Sequence, residues 1–344
     1  MKYAVVGFGT AGYHAVKKIR ELDKEGCIDV YSNTGRAPYN PMLTTYYAFG
    51  KLEYEGMFPF GDLEQIQKEV DFNLRKETVI KVHGSEHLVE TENGSEQYDR
   101  ILIATGARAF APPVKGLEPE DAFLMRTVED ALRFKDRLKK NDIKHAVVIG
   151  ASMAGIKVVE VLHKYGIETW LLDLASYIFP LAAYKEVAEE IEKRVEAQGV
   201  HLMFGVTIDH MEQENGEKVA VLTDGSRIPA DIVGLCIGTR AITETVQGEV
   251  EITRGIVVDD HMRTSVPGIY AAGDCCEGNN LESGQKQIIG LWANANHQGE
   301  TAGINMAGGD AVYKGNILHN ITHFMNMDFI GFGDNRMQGE VLEY

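Results

Sequence analysis

Two glycine-rich turns, each between a short apolar strand and an amphipathic helix, constrain this chain more than any other feature. The first is Gly7-Phe8-Gly9-Thr10-Ala11-Gly12, inside KYAVVGFGTAGYHAVKKIRELD, which leads to the strand IDVYS. The second is Gly150-Ala151-Ser152-Met153-Ala154-Gly155, inside HAVVIGASMAGIKVVEVLHKYG, which leads to ETWLLD. Each opens a βαβ unit. In such a turn the first glycine permits the tight bend and the second lets backbone N–H groups approach a pyrophosphate. The third lets helix and strand pack, and the helix N-terminus then faces the anion. Gly7 and Gly150 lie 143 positions apart, a domain-scale duplication and not a solenoid repeat. Two nucleotides are implied.

The segments after each turn repeat as well. KETVIKVHGSEHLVETENG alternates apolar and polar residues around turn signals, the mark of antiparallel strands, and YDRILIATGARAFAPP reads as a buried strand ending in a Gly and Pro-rich linker. In the second cycle VHLMFGVTIDHMEQENGEKVAVLTDG reads as a hairpin and ADIVGLCIGTR as another buried strand with a Gly-Thr end. GIVVDDHMRTSVPGIYAAGD then begins a third segment.

Charge narrows the partners. Among 344 residues, 51 acidic against 34 basic side chains give a formal charge of −17, which repels nucleic acid and anionic membrane surfaces. No stretch approaches the run of about 20 apolar residues that a spanning helix needs, and the N-terminal apolar run dissolves into glycines without a cleavage-type site. A soluble cytoplasmic protein without membrane insertion is expected. The four cysteines, Cys27, Cys236, Cys275 and Cys276, form no CxxC pair and no disulfide framework. The adjacent Cys275 and Cys276 could close only a strained ring, so packing is the expected role. His319 and His323 stand four apart with no third ligand at suitable spacing, so no metal is expected.

Four motifs in order, Gly7/Gly9/Gly12, Ala104-Thr105-Gly106, Gly150 to Gly155, and Ala272-Gly273-Asp274, make the chain resemble the pyridine nucleotide-disulfide oxidoreductase superfamily over residues 1–330. PYNPMLTTYYAFGK and GLWANANHQGETAGINMAGGD look like its rubredoxin, ferredoxin and nitrite reductase branch. The resemblance implies an α/β chain with two Rossmann-like dinucleotide-binding domains in three layers. The FAD-binding domain would be 1–113 with 244–316, the NAD-binding domain 114–243, and 317–344 a remnant of the interface domain that relatives carry. It implies FAD at the first site and NADH at the second, with Asp274 on the ribityl chain. Thr10, Ala11, Ser32 and Asn33 join the FAD set, as do Arg36, Asn40, Pro41 and Thr44 of the following loop, and Val79 and Arg108. Gly238 joins the NAD set. Trp292 falls where that branch lays a residue against the flavin edge, though an ordinary core tryptophan reads the same way. The loop from Arg36 to Lys51 contains no cysteine, so the dithiol chemistry of the disulfide reductases is not expected.

Several residues depart from the pattern. The ribose-holding acid about 20 positions after the first turn is replaced by Ser32 and Asn33, which can hydrogen-bond without charge assistance. Ser152 stands at the middle glycine of the second turn, with a hydroxyl able to donate to phosphate. Asp173 at the next strand end would accept from both ribose hydroxyls and repel a 2′-phosphate, favouring NADH over NADPH. Met153 replaces an aromatic gate of the nicotinamide pocket. Lys157 replaces a glutamate that in relatives pairs with a loop lysine, itself replaced here within Leu43-Thr44-Thr45. Two readings of Lys157 stand: a cation reaching the flavin N5 and O4 region, or a lysine satisfied by a neighbouring carboxylate or by solvent.

The resemblance further implies hydride transfer from NADH to flavin, with electrons passing to an external acceptor. An iron–sulfur or rubredoxin-type carrier comes first, and a small molecule such as O2 or a quinone second. Such carriers are often acidic, so a basic patch would be needed to receive one. The competing reading is an electron-input subunit of a larger complex; a homodimer is the other assembly expected.

Overall fold

The computed structural model describes residues 1–334, and the chain divides into two compact units. The first comprises Met1–Asn40, Met57–Arg108 and Arg240–Leu318. The second comprises Pro41–Gly56, Ala109–Thr239 and the described residues from His319 onward.

The first unit is built on a five-stranded parallel sheet in the order Ile269–Ala271, Arg100–Ile103, Lys2–Val6, Cys27–Tyr31, Asn73–Arg75. Its central strand, KYAVV, is buried from Tyr3 to Val6, which is why it reads as an apolar run without alternation. The helices Thr10–Leu22 and Trp292–Met306 pack closely against each other. Gly299 and Gly303 make that approach possible: a Cβ on them would lie 2.3 Å from the Ala11 carbonyl oxygen and 2.5 Å from that of Ala15. An antiparallel sheet of Val79–His83, Leu88–Thr91 and Gly94–Gln97 completes the unit, as the alternating sequence there predicts.

The second unit repeats the plan, with parallel strands in the order His201–Phe204, Glu168–Asp173, His145–Ile149, Ile232–Leu235, Ala122–Phe123 and an antiparallel sheet of Ile208–Glu214, Glu217–Leu222 and Arg227–Pro229. The α/β class with parallel sheets is therefore as read from the sequence. One element differs. VHLMF, expected to begin a hairpin, forms the parallel edge strand His201–Phe204 beside Trp170–Asp173, and the hairpin starts only at Ile208. Gly205, at a φ of 74°, makes the break between them. A four-residue apolar run carries no period that separates the two cases.

Two pieces distant in sequence complete the second unit: the helix Leu43–Phe49 and a hairpin pairing His319–Phe324 with Met327–Phe332. The hairpin turns through Met325 and Asn326, both left-handed, and buries Phe324 and Phe329 in the core. No helix among the described residues is long and apolar enough to cross a membrane.

Because the atoms a Gly299 Cβ would strike are backbone, Gly299→Ala should destabilise the protein by about 1–3 kcal/mol. Gly290→Ala, where a Cβ meets nothing within 4 Å, should stay within about 0.5 kcal/mol of the parent. Thermal or denaturant unfolding of the pair measures the contrast.

Candidate functional site

In each unit the glycine turn leaves the carboxyl end of the central parallel strand, where open α/β sheets bind their ligands. The two turns are superimposable in their constraints. Gly7 and Gly150 both hold a φ of 105°. A Cβ on either would lie 2.2 Å from the Ala104 carbonyl oxygen or 2.4 Å from that of Cys236. Gly12 and Gly155 pack against the first glycine's own carbonyl, where a Cβ would be 2.2 and 1.9 Å away. These four positions admit glycine only.

The middle position differs. Gly9 is the N-cap of Thr10–Leu22, with a negative φ of −82° and open space where a Cβ would be. Ser152 occupies the equivalent N-cap of Met153–Lys164 at φ −97°. Serine is therefore tolerated because neither backbone nor space demands glycine. Its hydroxyl donates to the Cys236 carbonyl (2.9 Å) and accepts from the Gly155 N–H (3.3 Å), capping the helix itself. The proton that the sequence reading offered to a phosphate goes instead to Cys236.

The helix N-termini test whether anionic cofactors fit. Gly9 and Leu291 provide no side-chain cap, so the first-turn N–H groups of Thr10–Leu22 and Trp292–Met306 are left for an incoming acceptor. In a chain with 51 acidic residues, the first turns of these helices and of Met153–Lys164 carry none. The helices Leu63–Glu69, Val128–Leu138 and Lys185–Glu196 each carry at least one, while Leu43–Phe49 carries none. A carboxylate at the first turn would occupy the helix dipole, so its absence leaves these N-termini open to an incoming anion. Trp292 adds a second sign: its indole Nε1 is buried with no partner among the described residues, a donor whose desolvation an acceptor group would offset. Its ring stacks on Phe60 (5.5 Å), which stacks on Tyr13 (4.3 Å), contacts the sequence did not reveal.

The first unit brings most of its expected set to one edge of the sheet. Ser32 and Asn33 follow the strand Cys27–Tyr31, Ala104, Thr105 and Gly106 follow Arg100–Ile103, and Gly273 and Asp274 follow Ile269–Ala271. Thr10 donates to Asn296, Thr105 to the Ile242 carbonyl (2.6 Å), and Gly273 N–H to Gln298 Oε1 (2.9 Å). Arg36, Asn40 and Val79 belong to this unit, whereas Pro41 and Thr44, read from the sequence as part of the same loop set, belong to the second. There the Thr44 hydroxyl donates to the Pro41 carbonyl (2.7 Å). Arg108 is exposed and paired with Glu244 (2.5 Å).

In the second unit Asp173 closes its strand beside the turn. One carboxylate oxygen accepts from Ala151 N–H (2.7 Å) and the other from Ala175 N–H (2.8 Å). Both oxygens keep a lone pair, so the charge is oriented without being used up. Gly238, with a φ of 100°, follows Ile232–Leu235 at the same edge. Met153 is the first residue of its helix and packs on the unit's core.

Lys157 lies one turn further along that helix, 7% exposed. Its amine donates to Glu160 and to the His323 carbonyl (2.7 Å), and lies over the Tyr46 ring (4.6 Å). Glu160, also buried, accepts from Lys51 (3.1 Å) and from Met325 N–H (3.1 Å) as well. Of the two sequence readings, the geometry is that of a lysine satisfied by a carboxylate. A buried glutamate one turn away must be neutralised, and Lys157 and Lys51 supply the cations. Burial pushes the Lys157 amine below the usual range, opposed by Glu160; the same burial would raise Glu160, but the two lysines and the Met325 N–H hold it below the ordinary carboxylate range. Glu160, Lys51 and His323 were missed from the sequence, since no spacing rule joins them.

All four cysteines are free thiols, Cys27 exposed and the other three buried. Burial pushes the Cys236 thiol up to about 12. Cys275 and Cys276 are buried, with their thiols directed to the carbonyls of Ile103 (3.3 Å) and Gly273 (3.4 Å). Among the described residues no group of three or more His, Cys, Asp or Glu is placed to hold a metal.

Comparison with known proteins places this geometry. Residues 1–299 match the family model described as "Pyridine nucleotide-disulphide oxidoreductase". The chain is 28% identical over 348 residues to the NADH-dependent phenylglyoxylate dehydrogenase subunit epsilon of Aromatoleum evansii, covering 99% of this chain and 82% of that protein. It is 28% identical over 309 residues to the 3-phenylpropionate/cinnamic acid dioxygenase ferredoxin–NAD(+) reductase component of Photorhabdus laumondii, covering 89% and 77%. Among solved structures, an NAD-dependent persulfide reductase from A. fulgidus superimposes with a TM-score of 0.90 at 27% identity. The match covers 98% of this chain but 64% of the persulfide reductase chain.

The buried Lys157–Glu160 pair makes a quantitative demand on stability. Glu160→Gln should cost about 3–5 kcal/mol near neutral pH, because it strands a buried ammonium. Since the folded-state pKa of Glu160 is depressed, its contribution is present above the ordinary carboxylate range and is lost as pH falls through the folded value. The gap between variant and parent should therefore shrink on acidification, as read by denaturant unfolding at pH 7 and pH 4.

Proposed function

The chain belongs to the pyridine nucleotide-disulphide oxidoreductase family, and from that premise we propose that it oxidises NADH and passes the electrons to an iron–sulfur or rubredoxin-type carrier protein. It is an NAD(P)H-dependent flavoprotein oxidoreductase whose cofactors are FAD and NADH. The observation that carries the reading is the pair of equivalent glycine cradles, each opening a helix with no acid in its first turn, in a chain whose segment from Arg36 to Lys51 contains no cysteine.

In this reading the first unit holds FAD. The N–H groups opening Thr10–Leu22 take the diphosphate, Ser32 and Asn33 the ribose, Asp274 the ribityl chain, and Trp292 directs its buried indole N–H to the ring system. The second unit holds NADH, with the diphosphate on the N–H groups of Met153 and Ala154 and the adenosine ribose on Asp173. Because Asp173 is already oriented by Ala151 and Ala175, it presents a fixed negative charge that disfavours a 2′-phosphate. Bound FAD supplies the chemistry of accepting a hydride and releasing electrons singly or in pairs. With no thiol in the loop to take those electrons, they leave to an external acceptor.

A basic patch supports a protein acceptor. Around the helix Leu43–Phe49 the second unit gathers Lys135 over Tyr47 (3.8 Å), and Lys51 (4.3 Å) and Lys164 (4.5 Å) over Phe49. These cations come from three separated segments, so the sequence alone did not show them as a cluster. On a chain of charge −17 they offer a local surface for an acidic carrier. A second reading, an electron-input subunit of a larger complex, is favoured by the dehydrogenase subunit that this chain matches over 99% of its length.

Anaerobic addition of NADH to the flavin-loaded protein should bleach the flavin band, and a panel of ferredoxin- and rubredoxin-type proteins should then reoxidise it faster than O2 or a quinone, at a rate that falls with salt. A flavin that NADH leaves oxidised rejects the whole assignment; O2 or quinone as the fastest acceptor rejects the carrier. Asp173→Ala should shrink the NADH over NADPH preference in kcat/KM by about tenfold or more, the worth of a lost charge-assisted hydrogen bond. An unchanged preference removes Asp173 from the ribose.

A further inference from the structure

Phe179 is a bulky buried residue with a left-handed backbone, at a φ of 55°. Such a conformation persists only where the surroundings over-determine it. Here they do so from two sides. Its N–H donates to the carbonyl of Ala151 (2.9 Å), the residue that follows the first glycine of the second turn. Its ring is packed edge-on by Phe324 (5.6 Å, 89°) and tilted by Phe329 (5.2 Å, 48°), both from the hairpin 319–332.

That hairpin is itself anchored to the helix opened by the turn. Lys157 donates to the His323 carbonyl and Met325 N–H donates to Glu160, while Gln198 Nε2, just beyond the helix Lys185–Glu196, donates to the Met325 carbonyl (3.3 Å). Ala151 is thus held on both sides: its N–H by the Asp173 carboxylate and its carbonyl by the Phe179 N–H. A load path runs from the hairpin through one strained residue to the turn and to Asp173.

We propose that the hairpin 319–332 positions the NADH turn through Phe179, making Phe179, Phe324 and Phe329 positioning residues for the dinucleotide. The proposal rests on the reading that Gly150–Gly155 and Asp173 hold NADH. None of the three aromatics touches the ligand; they act by keeping Ala151 and Asp173 in the orientation that receives diphosphate and ribose. Removing the packing lets Phe179 relax toward an ordinary backbone conformation, which withdraws its N–H from Ala151 and loosens the turn.

The test uses the flavin-loaded full chain with Phe329→Ala, the intermediate Phe329→Val and the larger apolar Phe329→Leu. Calorimetric titration with NAD+ gives Kd, steady-state assays with ferricyanide give KM for NADH and kcat, and flavin absorbance gives occupancy. Phe329→Ala should raise Kd and KM together by about tenfold, one hydrogen bond's worth of misalignment, with kcat at saturation and flavin content near the parent's. Phe329→Leu should recover most of the affinity; should the alanine variant not fold, Phe329→Val takes its place and should raise Kd and KM together by severalfold. Unchanged Kd in folded Phe329→Ala, or in folded Phe329→Val where the alanine variant does not fold, or a loss in kcat with Kd unchanged, overturns the proposal. A parent protein that binds no NAD+ would instead sink the NADH reading beneath it.

Discussion

One constraint on which the molecule depends is the close approach of a carbonyl oxygen to a turn, made twice. The peptide leaving each central strand passes so close to the end of a neighbouring strand, at Ala104 and at Cys236, that the first glycine of each turn has no room for a Cβ. The third glycine then lets the helix start against the turn's own carbonyl. Helix axis, strand end and free N–H groups are thereby locked in one arrangement, and everything proposed for the two cofactors depends on it. Only the middle position escapes, which is why one turn keeps Gly9 and the other carries Ser152 without altering the backbone.

Electrostatics reinforces the same arrangement by omission. Leu63–Glu69, Val128–Leu138 and Lys185–Glu196 carry carboxylates in their first turns; Leu43–Phe49 does not, and neither do the three helices opening toward the proposed ligands. A fixed carboxylate there would occupy the helix dipole that a diphosphate is to use. In the second unit Asp173 closes the strand beside the turn with its carboxylate oriented by Ala151 and Ala175, so that in the proposed reading it receives a ribose and repels extra phosphate.

Buried charge organises the rest of the second unit. Glu160 accepts from Lys157, Lys51 and the Met325 N–H, tying a helix, a loop more than one hundred residues earlier and the C-terminal hairpin to a single carboxylate. A pair so deeply placed contributes little net stability over an apolar alternative, but losing either partner is costly, so it specifies which segments meet. The aromatic trio of Phe179, Phe324 and Phe329 adds packing to the same joint.

From its sequence alone the chain determined the two turns, the strand and helix that flank each, the antiparallel sheets and the order of the motifs, because each is encoded in residues within about twenty positions of one another. Periodicity and glycine spacing are local, and local physics suffices to read them. The tertiary structure alone decided that VHLMF is a parallel edge strand, that Pro41 and Thr44 part company with Arg36 and Asn40, that the hairpin at 319–332 completes the second unit, and that Lys157 answers to Glu160. It likewise decided where the lysines around Leu43–Phe49 gather. Each of these depends on desolvation and packing between segments far apart in the chain, and the cost of leaving a charge or an aromatic ring unpartnered is set only once the fold has brought its neighbours in.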